Sequence, residues 1–288
     1  MNFVKYRKIS YLFTIILIAI TGVSLVVKGL NYGIDFKGGY ILETHFKKQP
    51  HLDTLRHNLE KLHIGAVSIQ QIGKDPADLL IKIENKKDQS DQVSKVKASL
   101  GDNVEYRQIS VVGPKVGKEL ISGAVKAIAL TLLAMLVYVT IRFQWRYAVS
   151  AIATLFYDCI MIVMLYTVFP LEFSESAIIA ILITAGYSMN DTVVIFDRIR
   201  ENLSRKPKLP IEDIINSSIV ETLSRTTLTV FATLLSLIAM YIWGGPVIAE
   251  FSFPIMIGVL SGTYSSIFIS APLLLTLGFS KKPLEAEI

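Results

Sequence analysis

Charge is scarce in this chain and cysteine scarcer still. Lys, Arg, Asp and Glu make up 18% of its 288 residues, and hydrophobic residues make up 52%. Ordinary globular chains carry about 25% charged residues, so some stretches here must be nearly uncharged. That hydrophobicity excludes a disordered chain. Cys159 is the only cysteine, which excludes any intrachain disulfide and with it a disulfide scaffold. Histidine is sparse too. His45, His51, His57 and His63 recur every six residues, which puts successive ones on different helix faces rather than at the i, i+4 spacing of a metal pair. They read as surface positions. Gly33, Gly38 and Gly39 are not followed by the Gly-Lys-Ser/Thr of a phosphate loop, so they read as a tight turn at a membrane exit.

The charges that exist are gathered together. Residues 29–119 hold 14 Lys/Arg and 12 Asp/Glu, or 26 of the chain's 53 charged side chains. Outside them lie six apolar stretches, at 9–27, 120–141, 147–169, 177–196, 226–243 and about 251–277. The first has 19 residues without a charge, close to the roughly 20 that cross a bilayer. It follows the basic Lys5, Arg7 and Lys8 and contains the small Gly22 and Ser24, as a signal peptide would. Its length exceeds the 7 to 15 or so residues of a signal-peptide core, so it reads as an uncleaved anchor. The expected division is residues 1–28, a terminus and first span; 29–119, an external domain; 120–280, five further spans; and 281–288, a tail.

Orientation follows from Lys and Arg in the short connections. Arg142 and Arg146 join spans two and three, Arg198, Arg200, Arg205, Lys206 and Lys208 join four and five, and Lys281 and Lys282 follow span six. The alternate connections, 170–176 and 244–250, have neither residue type. Both termini are therefore expected in the cytoplasm and residues 29–119 outside it. The net charge of +5 is a topology signal, and charges divided among loops and span ends make no nucleic-acid footprint.

Within residues 29–119 the periodicity changes in a readable order. Residues 40–46 predict a strand, and Leu52, Leu55, Leu59 and Leu62 one face of a helix. Residues 66–72 and 79–84 predict two more strands, Val93, Val96 and Leu100 a second helix, and 104–112 a last strand. The order β-α-β-β-α-β predicts a ferredoxin-like, split βαβ domain. Nothing in it looks catalytic.

Ionisable groups at bilayer depth cost about 2.5 to 3.5 kcal/mol or more, so each needs a partner or a task. Asp158 stands near the middle of span three, Asp191 in span four about 8 Å of helix rise above its cytoplasmic end, and Arg225 at the start of span five. The stem of Arg225 is long enough to bring its guanidinium to Asp191. A structural reading is available for each acid: Asp191, with Ser188, Asn190 and Thr192, could simply tie helices together, and Asp158 is open between helix glue and function. Lys126, one turn into span two, should snorkel outward. The segment 197–201 reads as a solvated helix end. In span six Gly258, Gly262, Ser266 and Ser270 make a small-xxx-small face, which suits either internal packing or another subunit.

At this point the residues resemble the SecF branch of the SecD/SecF family of protein-export membrane proteins, within the RND superfamily. The likeness rests on Gly33-Ile34-Asp35-Phe36-Lys37-Gly38-Gly39, on Val112-Gly113-Pro114-Lys115-Val116-Gly117 and on Arg142-Phe143-Gln144-Trp145-Arg146. Its most specific piece runs from Gly186 through Asn190 and Asp191 to Asp197, Arg198 and Asn202. The resemblance implies a six-span α-helical membrane protein of the cytoplasmic membrane of a prokaryote, not an enzyme, that works with a separate SecD chain. It implies assistance to the SecYEG channel, an accessory membrane subunit such as YajC, and a translocating polypeptide as cargo. It also implies Asp191 and Arg225 as the proton-coupling pair, with Asp158 as a further candidate for proton coupling and no cofactor beyond the proton. Asp158 matches an acidic position, but Tyr157 and Met164 replace a usual His and Gly.

Three other classes compete. An intramembrane aspartyl protease should carry Gly-x-Gly before its second acid, whereas Ser188-Met189-Asn190 precedes Asp191. An RND-type proton-coupled exporter of small molecules or lipids is chemically nearer, but such exporters use large external domains in a twelve-span chain. A purely structural scaffold would leave Asp191 and Arg225 without purpose.

Overall fold

The computed structural model describes residues 3–62, 65–72, 75–84, 92–169 and 171–279. Among the described residues six helices are long and apolar enough to cross a membrane. They are α1 (Arg7–Val27), α5 (Pro114–Arg142), α6 (Trp145–Val168), α7 (Glu175–Arg205), α8 (Ile211–Trp243) and a composite sixth. The sixth consists of α9 (Gly245–Ser265), one π-helical turn at Ser266–Ser270 and α10 (Ala271–Thr276). Between α1 and α5 lie the short α2 (Ile34–Lys37), β1 (Gly39–Phe46), α3 (Leu52–Glu60), β2 (Val67–Gln71), β3 (Asp78–Glu84), α4 (Gln92–Leu100) and β4 (Val104–Val112). His63 and the tail residues Lys281 and Lys282 lie outside the described residues.

The four strands form one antiparallel sheet in the order β2-β3-β1-β4. Alternation fixes its register. Leu42 of β1 sits opposite Ile81 of β3 and Ile109 of β4, and Leu42, Leu79, Ile81 and Ile83 are completely buried against Leu59 of α3 and Val96 of α4. Burying one such side chain is worth about 1.5 to 3 kcal/mol, and slipping a strand by one residue would turn its whole set toward water.

Two helices are longer than their apolar stretches. At 1.5 Å per residue, α7 and α8 reach about 46 and 50 Å, beyond a hydrocarbon core of about 30 Å. The segment 197–201, expected as a solvated helix end, lies in the last turns of α7 with its charged side chains partly exposed. The helix runs unbroken to Arg205, and its polar last turns are tied to α8. Arg198 donates to Glu221 and Glu201, Lys206 reaches Glu221 at 2.7 Å, and Asn202, buried, donates to Ser218 and Glu221 at 2.9 Å each.

The bundle has two chemically different ends. At one, Arg7 pairs with Glu212 at 2.8 Å, Arg142 with Asp197 at 3.1 Å, and Phe143, Tyr147, Phe196 and Phe279 stack edge to face. At the other, the sheet domain meets the α6–α7 connection: the Gly33 N–H donates to the Phe173 carbonyl, the Phe173 N–H to that of Asn31, and Lys82 lies 4.0 Å from Glu172. The Lys- and Arg-rich connections therefore share the end opposite the sheet domain.

Candidate functional site

The glycine-rich segment is a joint between domain and bundle. Gly38 closes α2 with φ +85°, a left-handed backbone that side chains rarely adopt, and a Cβ on Gly39 would lie 2.2 Å from the Ile83 carbonyl oxygen. Phe36, two residues before Gly38, is buried and packed with Tyr32 and Phe173, and Tyr166 of α6 joins the same aromatic group. Gly33 abuts Ser174 and Asp35 is half-buried. These positions hold the domain on the bundle. A tight turn, as the sequence suggests, is only part of their work.

The second group of polar residues lies inside the bundle. On α7, Thr184, Ser188, Asp191 and Thr192 are buried, whereas Gly186 and Asn190 point the other way and are exposed on the chain's own surface. Two of the buried residues meet α9 through its glycines. A Cβ on Gly258 would fall 2.0 Å from Thr184 Oγ1, and one on Gly262 would fall 2.9 Å from Ser188 Cβ. Of the two uses left open by the small-residue face of span six, internal packing is the one observed: it seats against α7, and Ser150 of α6 donates to the Ser270 carbonyl at 2.6 Å. Close approach of this kind needs small residues on one side.

Asp158 of α6 faces this seam, completely buried. Ser188 Oγ donates to its Oδ2 at 2.5 Å and Ser265 Oγ at 3.0 Å, while Oδ1 has no partner. One turn beyond Ser188, Thr192 Oγ1 and Ser266 Oγ share a hydrogen bond of 2.9 Å. Serine hydroxyls thus lace α6, α7 and the sixth span together. Ser265 drew no notice in the sequence, because serine is common in helices and only the three-dimensional seam shows which ones face an acid.

Asp191 is 3% exposed and its Oδ2 lacks a partner. Arg225 lies on the neighbouring helix, near enough to act electrostatically on that carboxyl. The two are not brought into contact: among the described residues no cation lies within 4.0 Å of Asp191, and Arg225 is exposed on the chain's own surface. The close pair that the sequence allows is therefore open in this arrangement. Asp197 and Arg198, further along α7, belong to the ion pairs at the basic end and not to this seam.

Outside the membrane His51 and His57 are exposed, and His45 is half-buried in a cluster of charged side chains. Its Nδ1 lies 2.6 Å from Asp78 Oδ1, Arg107 reaches Asp78 Oδ2 at 2.9 Å, and Asp75 stands nearby. The His45 hydrogen bond, aided by Arg107, holds the Asp78 carboxyl below the usual carboxylate range. With a guanidinium already seated on Asp78, the group is an ion-pair cluster by its chemistry.

Residues 92–280 match the family described as protein export membrane protein SecD/SecF, C-terminal, and residues 23–50 match the SecD/SecF GG motif. The chain belongs to the SecD/SecF family. It is 41% identical to the protein translocase subunit SecF of Rickettsia felis over 293 aligned positions, covering 99% of this chain and 95% of that one. It is also 41% identical to the SecF of Rickettsia prowazekii, covering 95% and 89%. Among solved structures it resembles SecDF, a translocon-associated membrane protein from Thermus thermophilus, with a TM-score of 0.83 and 32% identity. A super-membrane-facing form of SecDF gives a TM-score of 0.74 at 32% identity. The chain covers 97% of itself but 39% of the SecDF chain in the first comparison. It is a multi-pass membrane protein of the SecD/SecF family, and the matched GG segment contains the joint built by Gly33, Phe36, Gly38 and Gly39.

Proposed function

We propose that this chain is a SecF-type protein translocase subunit, and that it works with a SecD-type partner at the SecYEG channel to draw exported polypeptides outward at the expense of the proton motive force. The supporting observation is the carboxyl of Asp191. It is buried within a span, it has one oxygen without a partner, and an arginine on the next helix stands within electrostatic reach but out of contact. A group so placed can take up and release a proton as the arginine approaches and withdraws, since an adjacent guanidinium favours the carboxylate. A proton moving down 100 mV yields about 2.3 kcal/mol, enough to bias a two-state helix arrangement.

The finer points belong to the same reading. The sheet order β2-β3-β1-β4 with two helices on one face favours the ferredoxin-like, split βαβ topology. The sheet domain lies outside the cytoplasm and both termini inside it, because the basic connections share the opposite end of the bundle. An accessory subunit such as YajC belongs to the assembly, the coupling ion is the proton, no other cofactor takes part, and the role is mechanical and not enzymatic. An exporter of small molecules or lipids is disfavoured by the single small external domain.

The test is protein translocation into inverted membrane vesicles prepared without this chain. Adding it back should raise export only while a proton gradient is maintained. An equal increase after the gradient is collapsed would contradict the reading.

A further inference from the structure

Among the buried polar atoms of the bundle that lack a hydrogen-bond partner are Asp158 Oδ1 and Ser261 Oγ, which belong to the seam around α9. Asp158 Oδ2 receives hydroxyls from Ser188 and Ser265, so all its hydrogen bonds come from neutral groups. The ionisable residues in electrostatic contact with it are Tyr157 and Cys159 on its own helix; Tyr264 of α9 packs on Tyr157, and Asp191 follows Ser188 by three residues on α7. The packed part of α1 offers Leu17, with no charge between Lys8 and Lys28, and Lys126 of α5 is exposed. None of the facing groups is a cation. A carboxylate removed from water without a counter-charge is very costly, whereas a carboxylic acid can be satisfied by hydroxyls.

We propose that Asp158 is a second proton-binding site of the membrane domain, occupied in this arrangement, and that the serines of α9 convert its charge into a displacement of the sixth span. The inference rests on the proton-coupled reading above. The chemistry is one proton taken up on a carboxylate oxygen and released from it; no other bond forms or breaks. When the proton leaves, the carboxylate needs more donors than Ser188 and Ser265 supply. Ser261, one turn before Ser265 and already near both Asp158 and Tyr157, is the nearest candidate, and closing it onto Oδ1 draws α9 toward α6. The π-helical turn that begins at Ser266 is where such a shift is absorbed, since its wider hydrogen-bond spacing already departs from the α pattern. Ser188 carries the change to α7, where Asp191 lies three residues, about 4.5 Å of rise, further on.

Infrared difference spectroscopy on the full chain in lipid nanodiscs, with isotope-labelled aspartate and a pH titration, reads the proton directly. A carboxylic-acid C=O band should persist in Asp191→Asn, vanish in Asp158→Asn and shift in Ser265→Ala, which leaves the carboxyl and removes one hydrogen bond. Absence of the band at every pH, or a band indifferent to both Asp158→Asn and Ser265→Ala, overturns the proposal. In vesicles, Asp158→Asn should assemble and lose the gradient-driven increment of export. If it does not assemble, Ser261→Ala takes its place and should reduce that increment. A wild-type increment in the variant that is read overturns the displacement role. Intact export by Asp191→Asn would instead sink the broader reading while leaving the Asp158 band in place.

Discussion

At the scale of single residues, the membrane seam depends on what is absent as much as on what is present. Gly258→Ala would force a methyl into Thr184, and Gly262→Ala into Ser188, the residue that holds Asp158. Overpacking of this kind costs roughly 1 to 3 kcal/mol. Gly258→Ala should lower the thermal unfolding midpoint in detergent more than Gly123→Ala, whose added Cβ meets open space; equal midpoints would contradict the packing. Outside the membrane, Asp78 is held below the ordinary carboxylate range by His45 and Arg107. Its stabilising contribution is therefore complete above the unfolded value, about 3.9, and is lost as pH falls through the folded one. Hydrogen exchange of β1 and β3 in the full chain should be faster in Asp78→Asn than in wild type at neutral pH, with the difference closing in strong acid. The two acids of the bundle are legible in the sequence because a charge in an apolar run is conspicuous. The exposure of Arg225 and the partners of Asp158 are not, because they depend on which faces the helices turn to one another.

At the scale of elements, the order of strands and helices in the sheet domain was legible, since the two-residue spacing of Leu79, Ile81 and Ile83 in β3 and the three- and four-residue spacing in α3 admit few alternatives. The helix ends at the basic side were harder. Hydropathy marks where a span leaves lipid, whereas α7 and α8 continue because Arg198, Asn202, Lys206 and Glu221 satisfy one another along two neighbouring helices. Glu221 is the hub of that network, and Glu221→Gln should weaken it by about 1 kcal/mol, in the range of a networked surface pair. Faster hydrogen exchange over residues 198–222, with α9 unchanged, is the expected result. The π-helical turn of span six had no sequence signal, because its serines and aliphatic residues suit an ordinary helix equally well.

At the scale of the whole molecule, the basic connections gather at one end of the bundle and the sheet domain sits at the other, which makes orientation a single binary question. A cysteine replacing Lys95 on α4, in a Cys159→Ser background, should react with an impermeant thiol reagent added to intact spheroplasts, and one replacing Lys208 should not. Both positions are exposed. The central claim is that a proton on Asp191 drives export, and Asp191→Asn tests it most directly because Asn keeps the size and most of the hydrogen bonding and loses only the titration. Measured as gradient-dependent translocation in reconstituted vesicles with the SecD-type partner present, the variant should assemble normally and export no faster with a proton gradient than without one. A gradient-driven increment equal to that of the wild type would contradict the account.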